Sequence, residues 1–99
     1  MKGGCIYFMV NNNNTTIYVG VTSDLIRRVE EHKTVKYKKS FTKRYNLTKL
    51  VYYETYHSIV EAIAREKQIK AGNRKRKEEL INSFNPTWED LYSKILNEW

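Results

Sequence analysis

Two short runs near the N-terminus constrain the fold most: Cys5-Ile6-Tyr7-Phe8-Met9-Val10 and Ile17-Tyr18-Val19-Gly20-Val21, with Asn11 to Asn14 between them. Both are rich in β-branched and aromatic residues and flank a polar turn, which predicts a β-hairpin. Side chains alternate across a strand, so Ile6, Phe8 and Val10 share one face with Ile17, Val19 and Val21. Tyr7, Tyr18 and Gly20 fall on the other. A four-residue loop pairing Val10 with Thr15 sets Tyr7 opposite Tyr18, with Gly20 leaving a clear space beyond the two phenols. Cross-strand tyrosine pairs are also ordinary sheet stabilisers, worth about 0.2–1 kcal/mol, so the hairpin alone does not establish a site.

Thr22-Ser23-Asp24 follows, three good N-cap residues before a helical pattern. Leu25, Ile26 and Val29 lie on one side of that helix, Arg27 faces water, and Arg28 and His32 belong to the buried face or its margin. Each has an ordinary explanation: an arginine laying its stem along a helix edge, and a hydrogen-bonded core histidine. Leu50 to Thr55 reads as a third strand. Ser58-Ile59-Val60-Glu61 is a capping box, and the helix it opens carries an apolar stripe of Ile59, Ala62, Ile63 and Ile69. Glu66 falls near the centre of that stripe. A carboxylate there is costly to desolvate without a positive partner, which leaves a salt bridge, for instance to Arg28, or a metal ion.

Gly72-Asn73 is suited to ending this helix, and Arg74-Lys75-Arg76-Lys77-Glu78-Glu79 opens a further short one anchored by Leu80 and Ile81. After the break at Phe84-Asn85-Pro86, Thr87 is expected to cap a last helix, with Asp90 at the capping-box position. Trp88, Leu91, Tyr92, Ile95, Leu96 and Trp99 give that helix its apolar stripe.

The charge balance bears on partners. Eighteen Lys and Arg against eleven Asp and Glu give a net charge of +7, which suits a polyanion such as a nucleic acid, or else a solvated basic surface. From Lys33 to Lys49 there are seven basic residues and no acid, interleaved with Tyr37, Phe41 and Tyr45. Cations among spaced rings suit a phosphate backbone; a solvated loop pinned by its aromatics is the alternative. Lys36, Lys38, Lys39, Lys43 and Arg44 are the nucleic-acid candidates here, joined by Lys70 from a second cluster spanning Arg65 to Lys77.

A chain of 99 residues is expected to form one domain over 1–99 with one core. Cys5, the single cysteine, reads as a buried small hydrophobe in a reducing compartment. No His/Cys cluster has zinc spacing, no apolar run approaches the length needed to cross a bilayer, and no signal peptide precedes the first strand. The expected location is cytoplasmic or nucleoid-associated, not secreted, with no membrane partner.

Taken together, Tyr7, Tyr18-Val19-Gly20, Thr22-Ser23-Asp24-Leu25 with Arg28 and His32, and Ala64-Arg65-Glu66-Lys67-Gln68-Ile69-Lys70 resemble the GIY-YIG nuclease domain. That domain occurs in the nuclease half of UvrC, in intron-encoded homing endonucleases and in several restriction enzymes. Asn85-Pro86-Thr87-Trp88-Glu89-Asp90-Leu91 is similar to the ending of its small stand-alone branch, so the resemblance covers essentially the whole chain. It implies an α/β (α+β) fold, a three-stranded antiparallel sheet flanked by helices. It also implies an endonuclease hydrolysing DNA phosphodiester bonds with Mg²⁺ or Mn²⁺, structure-selective in repair, recombination or mobile-element processing.

On the matching positions, Glu66 is implied as the metal ligand. Tyr7 is implied as the phenol helping to activate water, Tyr18 as the phenol beside the scissile phosphate, Arg28 as the phosphate clamp and His32 as their support. Gly20, Thr22 and Asn85 belong to the structural motif. All the catalytic side chains are expected to converge on one shallow, solvent-open cleft on one side of the sheet. Two positions depart from the pattern. Cys5 stands at the motif's first glycine, which changes packing only. Val21 stands where some relatives place a lysine; the loss of that cation either lowers the rate or shifts its role to Lys43 or Lys70. The other readings are a non-catalytic nucleic-acid-binding module of the same fold and a domain binding an acidic protein. A separate protein partner or subunit is a further candidate for supplying specificity.

Overall fold

The computed structural model describes residues 3–34 and 46–98. Three strands, β1 (Gly4–Val10), β2 (Ile17–Thr22) and β3 (Lys49–Tyr56), form an antiparallel sheet in the order β2-β1-β3. Four described helices accompany it: α1 (Leu25–Lys33), α2 (Ile59–Lys70), α3 (Arg74–Phe84) and α4 (Tyr92–Glu98). This is the expected α+β architecture.

The central strand is apolar on both faces because both are covered. Cys5, Tyr7 and Met9 pack with Leu25 and Val29 of α1, Ile95 of α4, and Leu47, Leu50 and Leu91. Ile6, Phe8 and Val10 pack with Val19, with Ala62 and Ile69 of α2 and with Ile81 of α3. Helices α1 and α4 therefore lie on the Tyr7 face, α2 and α3 on the other. Asp24 caps α1 by accepting from the Arg27 amide, and Ser58 caps α2 by accepting from Glu61. Asn73, expected to help end α2, caps α3 through the Arg76 amide.

The hairpin register differs from expectation. Val10 pairs with Ile17, Met9 with Tyr18 and Tyr7 with Gly20. The Asn11 carboxamide accepts from the amides of Thr15 (2.8 Å) and Thr16 (3.1 Å), and Asn14 adopts φ 57°, a left-handed conformation asparagine tolerates. These bonds draw both threonines into the loop. Arg74 of α3 then holds the loop from outside, donating to the carbonyls of Asn14 and Thr15.

A bulge interrupts the pairing of β1 with β3, where Phe8 meets Tyr52 but Met9 meets Leu50. Val51 and Tyr52 consequently both face α2 and α3. Beyond the bulge Glu54 accepts from Tyr52 and Tyr56 and is paired with Arg65 of α2 at 2.9 Å.

Thr87 does not cap the last helix, which starts only at Tyr92. Asp90 is drawn to the β3 edge instead: it accepts from the amides of Leu50 and Tyr92 and pairs with Lys33. Leu91 donates to the Leu50 carbonyl, and Trp88, at φ 56°, turns to the opposite face from Leu91. The stretch thus covers a sheet edge that would otherwise expose unpaired backbone. Trp99 lies outside the described residues. No helix among the described residues is long and apolar enough to cross a membrane.

Candidate active site

The hairpin brings Tyr7 and Tyr18 together diagonally, with ring centroids 6.1 Å apart. Directly across from Tyr7 is Gly20, and the absent side chain is what makes room. A Cβ at Gly20 would stand 2.6 Å from both Cζ and the hydroxyl of Tyr7. The expected clear space beside Gly20 is filled by the Tyr7 ring.

Helix α1 supplies the remaining members. His32 places Nε2 3.0 Å from the Tyr7 hydroxyl, sharing a hydrogen bond with it, and its ring centroid is 5.5 Å from both tyrosine rings. Arg28, one turn earlier, is half exposed and held by Glu31 at 3.7 Å. Glu31 was not singled out in the sequence; its spacing of three from Arg28 and four from Arg27 was the available signal.

These side chains alter each other's chemistry. Burial pushes the Tyr7 pKa well above its ordinary value, Tyr18 adds to the rise, and Arg28 pulls against it. Burial, and then Arg28, lower the His32 pKa to about 4, with Glu31 opposing. At pH 7 Tyr7 is therefore a protonated phenol and His32 a neutral imidazole. The Nδ1 of His32 is buried and makes no hydrogen bond among the described residues. Tyr7 is 1% exposed, so it does not form an open cleft floor.

Glu66 does not join this cluster directly. It sits on the inward side of α2 between Ala62 and Ile69, two residues buried against the sheet face opposite Tyr7. Its partner is Lys70, at 3.2 Å, not Arg28. The expectation of one cleft on one side of the sheet is thus corrected, as is a Glu66–Arg28 bridge. β2 is an edge strand, however, and α2 packs against it. Lys70 lines a depression of about 350 Å³ together with Tyr18, Val19 and Lys77. Lys70, the partner of Glu66, and Tyr18, the neighbour of Tyr7, therefore line the same depression at the β2 edge.

Among the described residues no group of three or more His, Cys, Asp or Glu is placed to hold a metal ion. The Glu66 side chain is only 15% exposed, and it is Oε2 that pairs with Lys70. A lone carboxylate fits a hydrated Mg²⁺, which keeps most of its waters and borrows phosphate oxygens.

Thr22 and Asn85 have structural roles. The Thr22 hydroxyl accepts from the Asp24 amide at the start of α1. The Asn85 amide group donates to the carbonyls of Val51 and Glu89, fastening the C-terminal stretch to β3. Cys5 is buried and burial pushes its thiol up to about 12, so it is an inert core residue. The candidates Lys36, Lys38, Lys39, Lys43 and Arg44, with Tyr37, Phe41 and Tyr45, lie outside the described residues.

A protein from Syntrophus aciditrophicus (strain SB), "UPF0213 protein", is 34% identical over 75% of this chain and 85% of its own. "UPF0213 protein YazA" of Bacillus subtilis (strain 168) is 32% identical over 93% of this chain and 92% of its own. "UPF0213 protein SERP0126" of Staphylococcus epidermidis is 36% identical over 75% and 89%. No solved structure gives a significant match. The profile of the GIY-YIG catalytic domain matches residues 3–79, a span that takes in both tyrosines, Gly20, Arg28, His32 and Glu66, and the chain therefore belongs to the GIY-YIG family.

Proposed function

We propose that the protein is a divalent-metal-dependent DNA endonuclease, with its reacting phosphate bound beside Tyr18 at the β2 edge. The observation that carries this reading is the Tyr18–Tyr7–His32 cluster with Arg28 at its rim, in a chain whose family domain is of nuclease type. Phosphodiester hydrolysis gathers negative charge on the phosphoryl oxygens, so a site for it must offer cations and oriented donors without a large side-chain rearrangement.

Arg28 is the clamp on a non-bridging oxygen, preset by Glu31. Tyr18, beside Lys70, positions the phosphate. Tyr7 holds its proton at pH 7 and is oriented by His32, so in the free protein it serves as a donor and spacer. It accepts a proton from water only as a phenolate, a state Arg28 favours and burial opposes. Glu66 is the residue that would hold a divalent ion, which when bound supplies Lewis-acid stabilisation of phosphate charge. Selectivity for a branched, flapped or nicked DNA, in repair, recombination or mobile-element processing, belongs to the same proposal.

The burial of Tyr7 and the place of Glu66 on the other sheet face favour a second reading, a nucleic-acid-binding module of the same fold without catalysis. One assay separates them. Labelled duplex, nicked, flapped, branched and single-stranded DNA, with one RNA strand, are incubated with Mg²⁺ or Mn²⁺ and with EDTA. The nuclease reading expects scission of at least one DNA that EDTA stops. Salt-dependent binding with no scission of any substrate establishes the second reading instead.

A further inference from the structure

Lys70 apart, the basic residues of the Arg65 to Lys77 cluster have no role in the chemistry above, and their placement runs against what stability alone would select. The first turn of α3 is Arg74-Lys75-Arg76-Lys77 with no acid. Cations at that end oppose the helix dipole, while Glu78 and Glu79 come a turn too late to help. Arg74 is accounted for: it holds the hairpin loop and Glu78. Lys75 and Arg76 have no acidic partner among the described residues, and Lys77 donates to the Gly72 carbonyl, which leaves its charge uncompensated.

These charges border a groove. Between α2 and α3 lies a cavity of about 540 Å³ lined by Arg65, Gln68, Arg76 and Lys77 over a floor of Ile69 and Leu80, with Glu79 its one acid. Arg65 is fixed there by Glu54 and Gln68. Lys77 also lines the smaller depression that contains Tyr18 and Lys70. The two hollows thus share Lys77 as a wall, and the cations Lys70, Lys77 and Arg76 border one or the other of them.

We infer that this α2–α3 groove holds the nucleic-acid backbone on one side of the scissile phosphate, so that Lys77 and Arg76 bind the phosphates next in line after the one beside Tyr18. This rests on the endonuclease reading for its substrate, but the groove's charge and the Lys77 wall it shares with the Tyr18 depression are independent of whether cleavage occurs. A polyanion whose charges repeat along a chain suits a row of cations leading out of the site. An acidic peptide would bring its carboxylates on side chains, with no reason to run on toward Tyr18.

The test compares the wild-type protein with Arg76→Gln/Lys77→Gln and with a control, Lys94→Gln, at an exposed lysine on α4 paired to Glu89. Circular dichroism melts first establish that all are folded. Affinity for a labelled DNA is then measured across a salt series. The expected result is that the double variant's log–log salt slope falls by about two units while the control's is unchanged.

Substrates shortened from either end complete the test. The variant's binding defect should vanish for one shortening only, the one that removes the arm lying in the groove. An unchanged slope, a defect that survives both shortenings, or preference for a polyglutamate peptide over DNA overturns the inference. Failure of the wild-type protein to cut any DNA, with the slope change intact, removes the endonuclease reading and leaves the groove standing.

Discussion

Replacing Gly20 with alanine tests the closest contact in the site. The added methyl would stand 2.6 Å from the Cζ and hydroxyl of Tyr7, well inside the van der Waals separation of about 3.5–4.0 Å. Tyr7 cannot retreat freely: it is 1% exposed and packs among Leu25, Val29 and Met9. Forcing extra volume into such a position costs about 1–3 kcal/mol. Displacing the phenol also weakens its hydrogen bond to His32, worth a further 0.5–1.5 kcal/mol or roughly so.

Gly20→Ala is therefore expected to lose about 1.5–4.5 kcal/mol, which for a domain of this size lowers Tm by roughly 6–36 °C. A thermal melt by circular dichroism reads this directly. Pairing it with Tyr7→Leu supplies the internal check, because leucine vacates the space that the methyl needs. The double variant should be less destabilised than the sum of the two single changes. A Gly20→Ala protein that melts within 2 °C or so of wild type would refute the tight-contact account.

Two further outcomes follow from the same cluster and from the C-terminal clamp. Because the folded His32 pKa lies at about 4 against an ordinary 6.5, the unfolded chain binds the extra proton between those values. Stability is then full above about pH 6.5 and falls as pH drops toward 4, by about 3 kcal/mol at most; urea titrations across this window should show the slope, and His32→Gln should flatten it. Asp90→Ala removes the acceptor for the Leu50 and Tyr92 amides as well as the Lys33 pair. It should cost about 2–3 kcal/mol, whereas Asp90→Asn, which keeps an acceptor, should cost less; matching urea midpoints for the two would contradict the clamp.

The elements themselves were legible in the sequence because each announced itself locally. The apolar alternation of Ile6, Phe8 and Val10, the Asp24 and Ser58 caps, and the period that set Val29 and His32 inward all act within a turn or a strand. What was not legible depends on partners far along the chain. The hairpin register follows from loop bonds made by Asn11 and from Arg74, which reaches back from α3. The bulge at Val51 and Tyr52 reverses which face Tyr52 takes, and nothing in the local pattern of β3 marks it. Asp90 looked like a helix cap to Thr87 until the Leu50 amide and Lys33 claimed its carboxylate.

Glu66 shows both sides of this limit. Helical spacing correctly set it on the inward face of α2, but spacing carries no information about which face of the sheet that helix would cover. The convergence of Tyr7, Tyr18 and His32 came through a family pattern, since no periodicity joins a hairpin to the last turn of a following helix.

The most direct test of the central proposal is cleavage by Glu66→Gln, compared with wild type in Mg²⁺. The substitution keeps the side-chain volume and removes the charge proposed to hold the metal. Since Glu66 pairs with the half-exposed Lys70 and not with Arg28, the change should cost little stability, about 1 kcal/mol or less. The account expects a folded variant that binds DNA with an unchanged salt slope and does not cut it. Wild-type rates of metal-dependent cleavage by the folded Glu66→Gln protein would contradict the assignment of Glu66 as the metal ligand.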